Sequence, residues 1–240
     1  MQDQLGNLEE AERHFNEAFE ITEGQLEKDP ENPDRIFEHA QSVYWVGYLN
    51  YAQGDYIGAI AKNEQYLELA KALADCEPNS FRSQQEEIFA LSNIAIINAI
   101  SGRENLAKQA FEKLIPKYIS ASENYPENID FKLDLADAYG WLADSYLNEN
   151  PAQSVIYRRS QVLVFEEMSA NYPTGKNVTH RGSSSLIGLA HANYKLANYS
   201  EAKRLIDEVS PQLTDLIEYE PNNSEWMSTC LLYTSPSPRD

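Results

Sequence analysis

The chain has 240 residues, 42% hydrophobic and 24% charged, with 38 acidic against 19 basic side chains, a net charge of −19 and a mean hydropathy of −0.55. That balance supplies apolar surface for a packed core but too much charge for a membrane span, and an isoelectric point near 4.5 argues against nucleic-acid partners, whose phosphates this surface would repel. Ten Gly and eleven Pro are few turn residues for this length, which favours long helices.

The start, Met1-Gln2-Asp3-Gln4, has neither the basic region nor the apolar core of a secretory signal. The dominant feature is an internal repeat: Pro30, Pro78, Pro126, Pro173 and Pro221 are spaced 48, 48, 47 and 48 residues apart. A turn column (Gly6, Gly54, Gly102, Glu149, Ala197) and a small-residue column (Ala11, Ala59, Ala107, Ser154, Ala202) keep the same register. Gly in the first column provides the positive φ that closes a helix, and the second marks close helix approach.

In chain order, the spacing predicts a helix over 8–28, with Asn7 and Glu10 as a capping box, and one over 33–53 behind Asn32-Pro33. The next is expected over 56–76 with Asp55 as N-cap, where Ala59, Ile60, Tyr66, Leu67, Ala70, Leu73 and Ala74 follow helical periodicity. Helices follow over 81–101 and 104–124. The apolar run Ile88–Ile100 is broken by Ser92, Asn93 and Asn98, which opposes a transmembrane reading. The last four are expected over 129–148, 151–170 (behind Asn150-Pro151), 178–197 and 200–218 (behind Asn198). Pro116 and Pro211 share a column inside second helices and are read as kinks; the competing reading ends each helix there. No segment alternates with period two, so strands are not expected. The chain is expected to form one array over 1–229: a partial repeat at 1–32, full repeats at 33–80, 81–128, 129–175 and 176–223, and the start of another at 224–229.

Residues 230–240 fit no column. Cys-Leu-Leu-Tyr-Thr-Ser-Pro-Ser-Pro-Arg-Asp resembles a translated sequencing adapter, the alternative being a natural Ser/Pro tail, and the segment is expected to be non-native, disordered and dispensable. With Cys230 set aside, Cys76 stands alone, which precludes an intrachain disulfide and fits a reducing, cytoplasmic setting. Cys76 itself reads as a small buried filler.

Several columns resemble the tetratricopeptide repeat: Val46-Gly47 with Gly54-Asp55-Tyr56 and Ala59; Gly6, Ala11, Phe15 and Ala18; Gly102, Ala107 and Phe111; Leu189-Ala190, Tyr199 and Ala202. The resemblance covers residues 1–229 and is loosest over 129–175, where Asn150, Pro151 and Ser154 replace the turn signal. The standard repeat has about 34 residues, and the excess here divides evenly, about seven residues or two turns per helix. The resemblance implies an all-α, right-handed α-solenoid of antiparallel helix pairs, with its first helices on a concave face.

By the family's helix positions, that face receives Gln41, Tyr44, Tyr48 and Tyr51, then Phe89, Ser92, Ile96 and Ile100. Asp137, Gly140, Asp144 and Leu147 follow, then Ser184, Ile187, His191 and Tyr194. Tyr44, Tyr48, Tyr51, Phe89, Ile96, Ile100, Asp144, His191 and Tyr194 are the candidate peptide-binding residues. The competing reading buries the same aromatic stripe in the core. Related repeats that clamp acidic C-terminal tails use Lys and Asn where this chain has Tyr44, Tyr48, Ser92 and Ile96, so that role is not implied.

His14, His39, His180 and His191 lack metal-ligand spacing, and no Gly-rich phosphate loop occurs, so neither cofactor nor catalysis is expected. Paired acids such as Glu9-Glu10 and Glu86-Glu87 read as solvated faces. The expected function is a protein–protein interaction scaffold for a basic or apolar peptide or helix, with self-association through apolar ends as a further possibility. The alternative that the resemblance implies is a sensory or regulatory arm of a larger bacterial signalling protein, a kinase or transcription regulator.

Overall fold

The computed structural model describes the backbone of residues 2–78, 80–171, 175–224 and 226–227, with side chains from Glu10 onward. Residues 230–240, expected to be a dispensable tail, lie outside the described residues, as do Ser228 and Thr229 of the expected last repeat. Among the described residues the fold is all-α without strands: α1 (Gln2–Leu26), α2 (Pro33–Ala52), α3 (Tyr56–Cys76), α4 (Phe81–Ile100), α5 (Glu104–Asn124), α6 (Ile129–Tyr146), α7 (Pro151–Asn171), α8 (Lys176–Lys195) and α9 (Tyr199–Tyr219). Among the described residues, no helix is long and apolar enough to cross a membrane. The chain divides into two compact units, residues 1–117 and 118–240, with the division inside α5.

The repeat columns explain the helix ends. Asn32 accepts from the backbone N–H of Asp34 and Arg35, with Pro33 in the first helical turn. Asp55 caps α3 through the Gly58 N–H at 3.0 Å, and Ser80 and Asn128 cap α4 and α6 likewise. Three turns share one closure. The N–H groups of Asp55, Arg103 and Asn198 reach back to the carbonyls of Asn50, Asn98 and Asn193, each at 2.8 Å. The residue preceding each donor, Gly54, Gly102 or Ala197, has φ of 82°, 74° or 62°. The turn between α6 and α7 lacks this device; Asn150 instead donates its N–H to the Tyr146 carbonyl and its side chain caps α7. Both interior prolines lie within continuous helices, so neither α5 nor α9 ends there.

The N-terminal expectation is corrected. α1 runs unbroken from Gln2 through Gly6 and Asn7, rather than starting at residue 8. A glycine inside a helix costs only about 1 kcal/mol, which the rest of this long helix offsets.

In unit 1, α1 packs on α2, α2 on α3 and α3 on α4; in unit 2, α6 packs on α7, α7 on α8 and α8 on α9. Connections of three to six residues make these neighbours antiparallel, so packing runs between sequence-adjacent helices in a solenoid-like manner. In the small-residue column Ala59, Ala107 and Ser154 are at 0% exposure and Ala202 is buried, while Ala11 is half-buried. Opposite Ala59, a Cβ on Gly47 would lie 3.0 Å from Lys62 Cβ, so α2 and α3 touch almost backbone to backbone. Ser154 alone brings a hydroxyl into this column, and its Oγ has no hydrogen-bond partner. Ser154→Ala is therefore expected to raise the unfolding free energy by about 1 kcal/mol, through removal of an unpaired buried hydroxyl and better helix propensity. Urea titration checks this; a loss of stability would mean that the hydroxyl is satisfied in solution.

Cys76, expected to be buried, is exposed at the end of α3, its Sγ 3.7 Å from the Glu31 carbonyl. It follows the last buried position of its helix, Leu73, by three residues and points past the core.

Candidate binding site

The candidate residues divide between the units: Tyr44, Tyr48, Tyr51, Phe89, Ile96 and Ile100 in unit 1, and Asp144, His191 and Tyr194 in unit 2.

In unit 1, α2 buries Ile36, Ala40, Val43 and Gly47. The adjoining stripe carries Tyr44, Trp45, Tyr48 and Tyr51, brought onto one side by spacings of three and four. Their rings form a row. Trp45 lies 5.8 Å from Tyr48, Tyr48 lies 6.5 Å from Tyr51, and Tyr51 lies 6.1 Å from Tyr56 at the start of α3. Phe15 of α1 stacks on Trp45 at 5.2 Å and 14°. A branch crosses to α4, where Tyr44 meets Phe89 at 5.2 Å. Tyr44 and Ile96 are half-buried, while Trp45 (40%), Tyr48 (46%), Tyr51 (36%), Phe89 (42%) and Ile100 (41%) keep a large part of their surface in water. The aromatic members are thus neither wholly core nor free: ring contacts hold them while one side faces solvent. Trp45 was not noted in the sequence, although it stands three residues before Tyr48, a spacing that places both on one face; Phe15 and Tyr56 were read as repeat columns but not as binding candidates.

Beneath this row is a polar cluster. Glu86, expected to be a solvated acid, is buried. Its Oε2 accepts from the Tyr66 hydroxyl and from Gln41 Nε2, the latter at 2.6 Å. Burial pushes the Glu86 carboxyl above its usual value, opposed by hydrogen bonds from Tyr66 and Gln41 and by the charge of Arg82. Burial, then the adjacent Glu86, raises the Tyr66 phenol, which remains a neutral donor. The acid is buried because Tyr66, fully enclosed in the cluster of Ala40, Val43 and Ala90, offers its hydroxyl there. In unit 2 the same two columns carry Asp137 and Arg181, paired at 2.5 Å, so the polar tie between successive first helices recurs with reversed polarity.

Asp144 is held by the Arg158 guanidinium, which also donates to Gln161 Oε1 at 2.7 Å. Gly140 and Ile187, expected on the concave face, are instead buried, because their columns face neighbouring helices in this register. His191 and Tyr194 line an open cleft of about 710 Å³ between α8 and α9, with Ile187 and Ala190 on one wall and Tyr199, Ala202, Lys203 and Ile206 on the other. Tyr194 and Tyr199 meet edge to face at 5.3 Å. Partial burial, then Lys195, holds His191 below the usual histidine range, with Asp144 opposing. Among the described residues, no group of three His, Cys, Asp or Glu side chains gathers as metal ligands.

The chain matches no family model and no curated protein. Among solved structures it is similar to the crystal structure of BtubC (BKLC) from P. vanneervenii, at 12% identity over 97% of this chain and 95% of that one, with a TM-score of 0.46, a likeness too distant to carry argument.

Proposed function

We propose that this chain is a protein–protein interaction scaffold of the tetratricopeptide kind, which holds a peptide or helix on the aromatic row of unit 1. The observation that carries the reading is that Trp45, Tyr48 and Tyr51 are braced by ring contacts yet remain between about a third and a half exposed. Rigid aromatic anchors lose little conformational freedom on binding, which is why interface hot spots favour Trp and Tyr. The row offers no charge clamp, so an apolar or mildly basic segment is the fitting partner. The net charge of −19 speeds the approach of a basic one at low salt. Binding rather than catalysis is the role proposed.

The test starts from a peptide selected on the full chain from a random displayed library. Tyr48→Ala and Ile96→Ala are then measured for both affinity and unfolding. A binding role predicts a loss of about 1–2 kcal/mol of affinity per anchor with little change in stability. A packing role predicts about 2–4 kcal/mol of lost stability, with binding retained by the folded fraction, and that result would remove the proposal.

A further inference from the structure

In unit 1, α2 packs between α1 and α3, and an open cavity of about 490 Å³ lies where the three meet. His39, only 3% exposed, lies in its wall. Its Nδ1 is 3.0 Å from the Thr22 hydroxyl, which in turn lies 3.0 Å from the Ala18 carbonyl and 3.1 Å from that of Phe19. Carbonyls only accept, so the single hydroxyl proton goes to them and His39 Nδ1–H donates to Thr22. Burial holds the ring below the ordinary histidine range, with Glu23 opposing and Lys62 adding to the effect. The imidazole is therefore neutral near pH 7, and Nε2 carries a lone pair. Among the described residues Nε2 has no hydrogen-bond partner, unusual for a side chain so buried.

Around the imidazole stand Glu23 and Glu27 at the end of α1 and Glu68 of α3, with Leu26, Pro30 and Leu69 as apolar surface. Glu68 is paired with Lys71 at 2.8 Å, and Lys62 lies beside the cavity, over the Phe19 ring at 4.3 Å and donating to Gln65 at 3.1 Å. Glu23 and Glu27 have no ion pair among the described residues. Apart from the Gln65 amide, the polar side chains of this wall are acceptors.

The repeat shows what such a place takes. The column of His39, nine residues after each repeat proline, holds Glu87 in the next repeat, and the column of Leu69 holds Lys117. There Lys117 donates to Glu87 at 3.0 Å, so the chain supplies its own cation. In unit 2 the columns of Glu23, His39, Gln65 and Leu69 are Glu166, Gly182, Glu208 and Gln212, and these again line a cavity, of about 290 Å³, on α7, α8 and α9. The opening is thus a property of the repeat, recurring where α6 is already packed on α7.

We propose that the cavity at His39 binds a guanidinium group on an alkyl stem, which donates to His39 Nε2 and to the Glu23 and Glu27 carboxylates while the stem lies on Leu26, Pro30 and Leu69. A metal ion does not suit these acceptors, because no three acidic or histidine side chains converge on one point among the described residues. A guanidinium does, since its planar fork spreads five donors over separated acceptors. His39 and Tyr48 are nine residues apart, two and a half turns, and so face opposite sides of α2. The pocket therefore does not rest on the aromatic row, and each stands or falls separately.

The test reads the imidazole nitrogens of the full ¹⁵N-labelled chain by NMR, where four histidines give separable signals and His39→Gln assigns one of them. The free chain is expected to show His39 neutral with its proton on Nδ1. Titration with n-butylguanidinium, and separately with the peptide acetyl-Gly-Arg-Gly-amide, should shift His39 Nε2 saturably at constant ionic strength and leave His180 and His191 unmoved. Tetramethylammonium, a cation without donors, should have no such effect. The double variant Glu23→Gln/Glu27→Gln should weaken both ligands at least tenfold, and Tyr48→Ala should leave them unchanged. Glu23 and Glu27 are exposed, and circular dichroism verifies that the variant folds. Tighter binding of the peptide assigns the guanidinium to an arginine side chain of a polypeptide, and tighter binding of butylguanidinium to a free small molecule; either order supports the pocket. A proton on Nε2 in the free chain overturns the proposal. So do absence of saturation, an equal shift with tetramethylammonium, or affinity indifferent to the double variant.

Discussion

Replacing Tyr66 by alanine is expected to lower the unfolding free energy by about 3–5 kcal/mol, because a fully buried aromatic ring is removed from the centre of unit 1. Tyr66→Phe separates the ring from its hydroxyl. The ring remains, but the Glu86 carboxylate loses one of its two donors, at a cost of about 1.5–3 kcal/mol for a hydrogen bond to a charged group. In a Glu86→Gln background the same Phe substitution should cost only about 0.5–1.5 kcal/mol, since the acceptor is then neutral. Equal costs in the two backgrounds would show that Glu86 is protonated or hydrated in the native state. The pH dependence has a definite sign. Burial raises the Glu86 pKa above its ordinary 4.5, so the folded state binds the proton more tightly than the unfolded chain does. Its contribution is therefore fully present below pH 4.5 and is lost as pH rises through the raised value. The stability of the native chain minus that of Glu86→Gln should decline across this window. Tyr66→Phe removes a bond that lowers the pKa, so it should move the decline to higher pH.

The second large effect is expected at the other end of the chain. Trp226→Ala should cost about 3–5 kcal/mol, comparable with truncation of a core aromatic, because the indole is only 8% exposed and fills the space over Val209, Leu213 and Leu216. Amide exchange in the second half of α9 should accelerate, while α2 and α3 are unaffected. Trp45→Ala is the control: that ring is 40% exposed and meets Phe15, Tyr44 and Tyr48, so its truncation should cost less, about 1–3 kcal/mol. If Trp226→Ala proves as mild as Trp45→Ala, the turn starting at Asn223 is frayed in solution.

What could be read in the sequence was whatever a local column dictates. Asn32-Pro33, Asp55 and Asn150-Pro151 start helices because each cap acts on its own next turn. Gly54 and Gly102 end them because closure needs a positive φ at that point. Features that depend on distant side chains were not legible. Glu86 looks like any acid on a polar helix face until Gln41, 45 residues away, and Tyr66, 20 residues away, converge on it. Gly6 carries the turn residue of its column, yet it lies inside the continuous helix α1. The aromatic stripe at Tyr44, Tyr48 and Tyr51 was visible by spacing, but its half-exposed state depends on rings from α1, α3 and α4, which no single segment encodes. His191 and Tyr194 were read as residues of the concave peptide-binding face, yet their placement in a cleft with Tyr199 and Lys203 depends on α9 beside α8.

Packing within each unit joins helices that follow one another in the chain, and this bears on how the protein reaches its fold. Most packing is between helices adjacent in sequence, and ties such as Gln41–Glu86 span no more than one repeat, so little chain entropy is lost before the next contact offsets it. Low relative contact order of this kind corresponds to folding in microseconds to milliseconds rather than seconds. Nucleation is open to any helix pair and proceeds by addition of neighbours. Ordering of the first pair is the slow event, and each later helix docks on a surface already made.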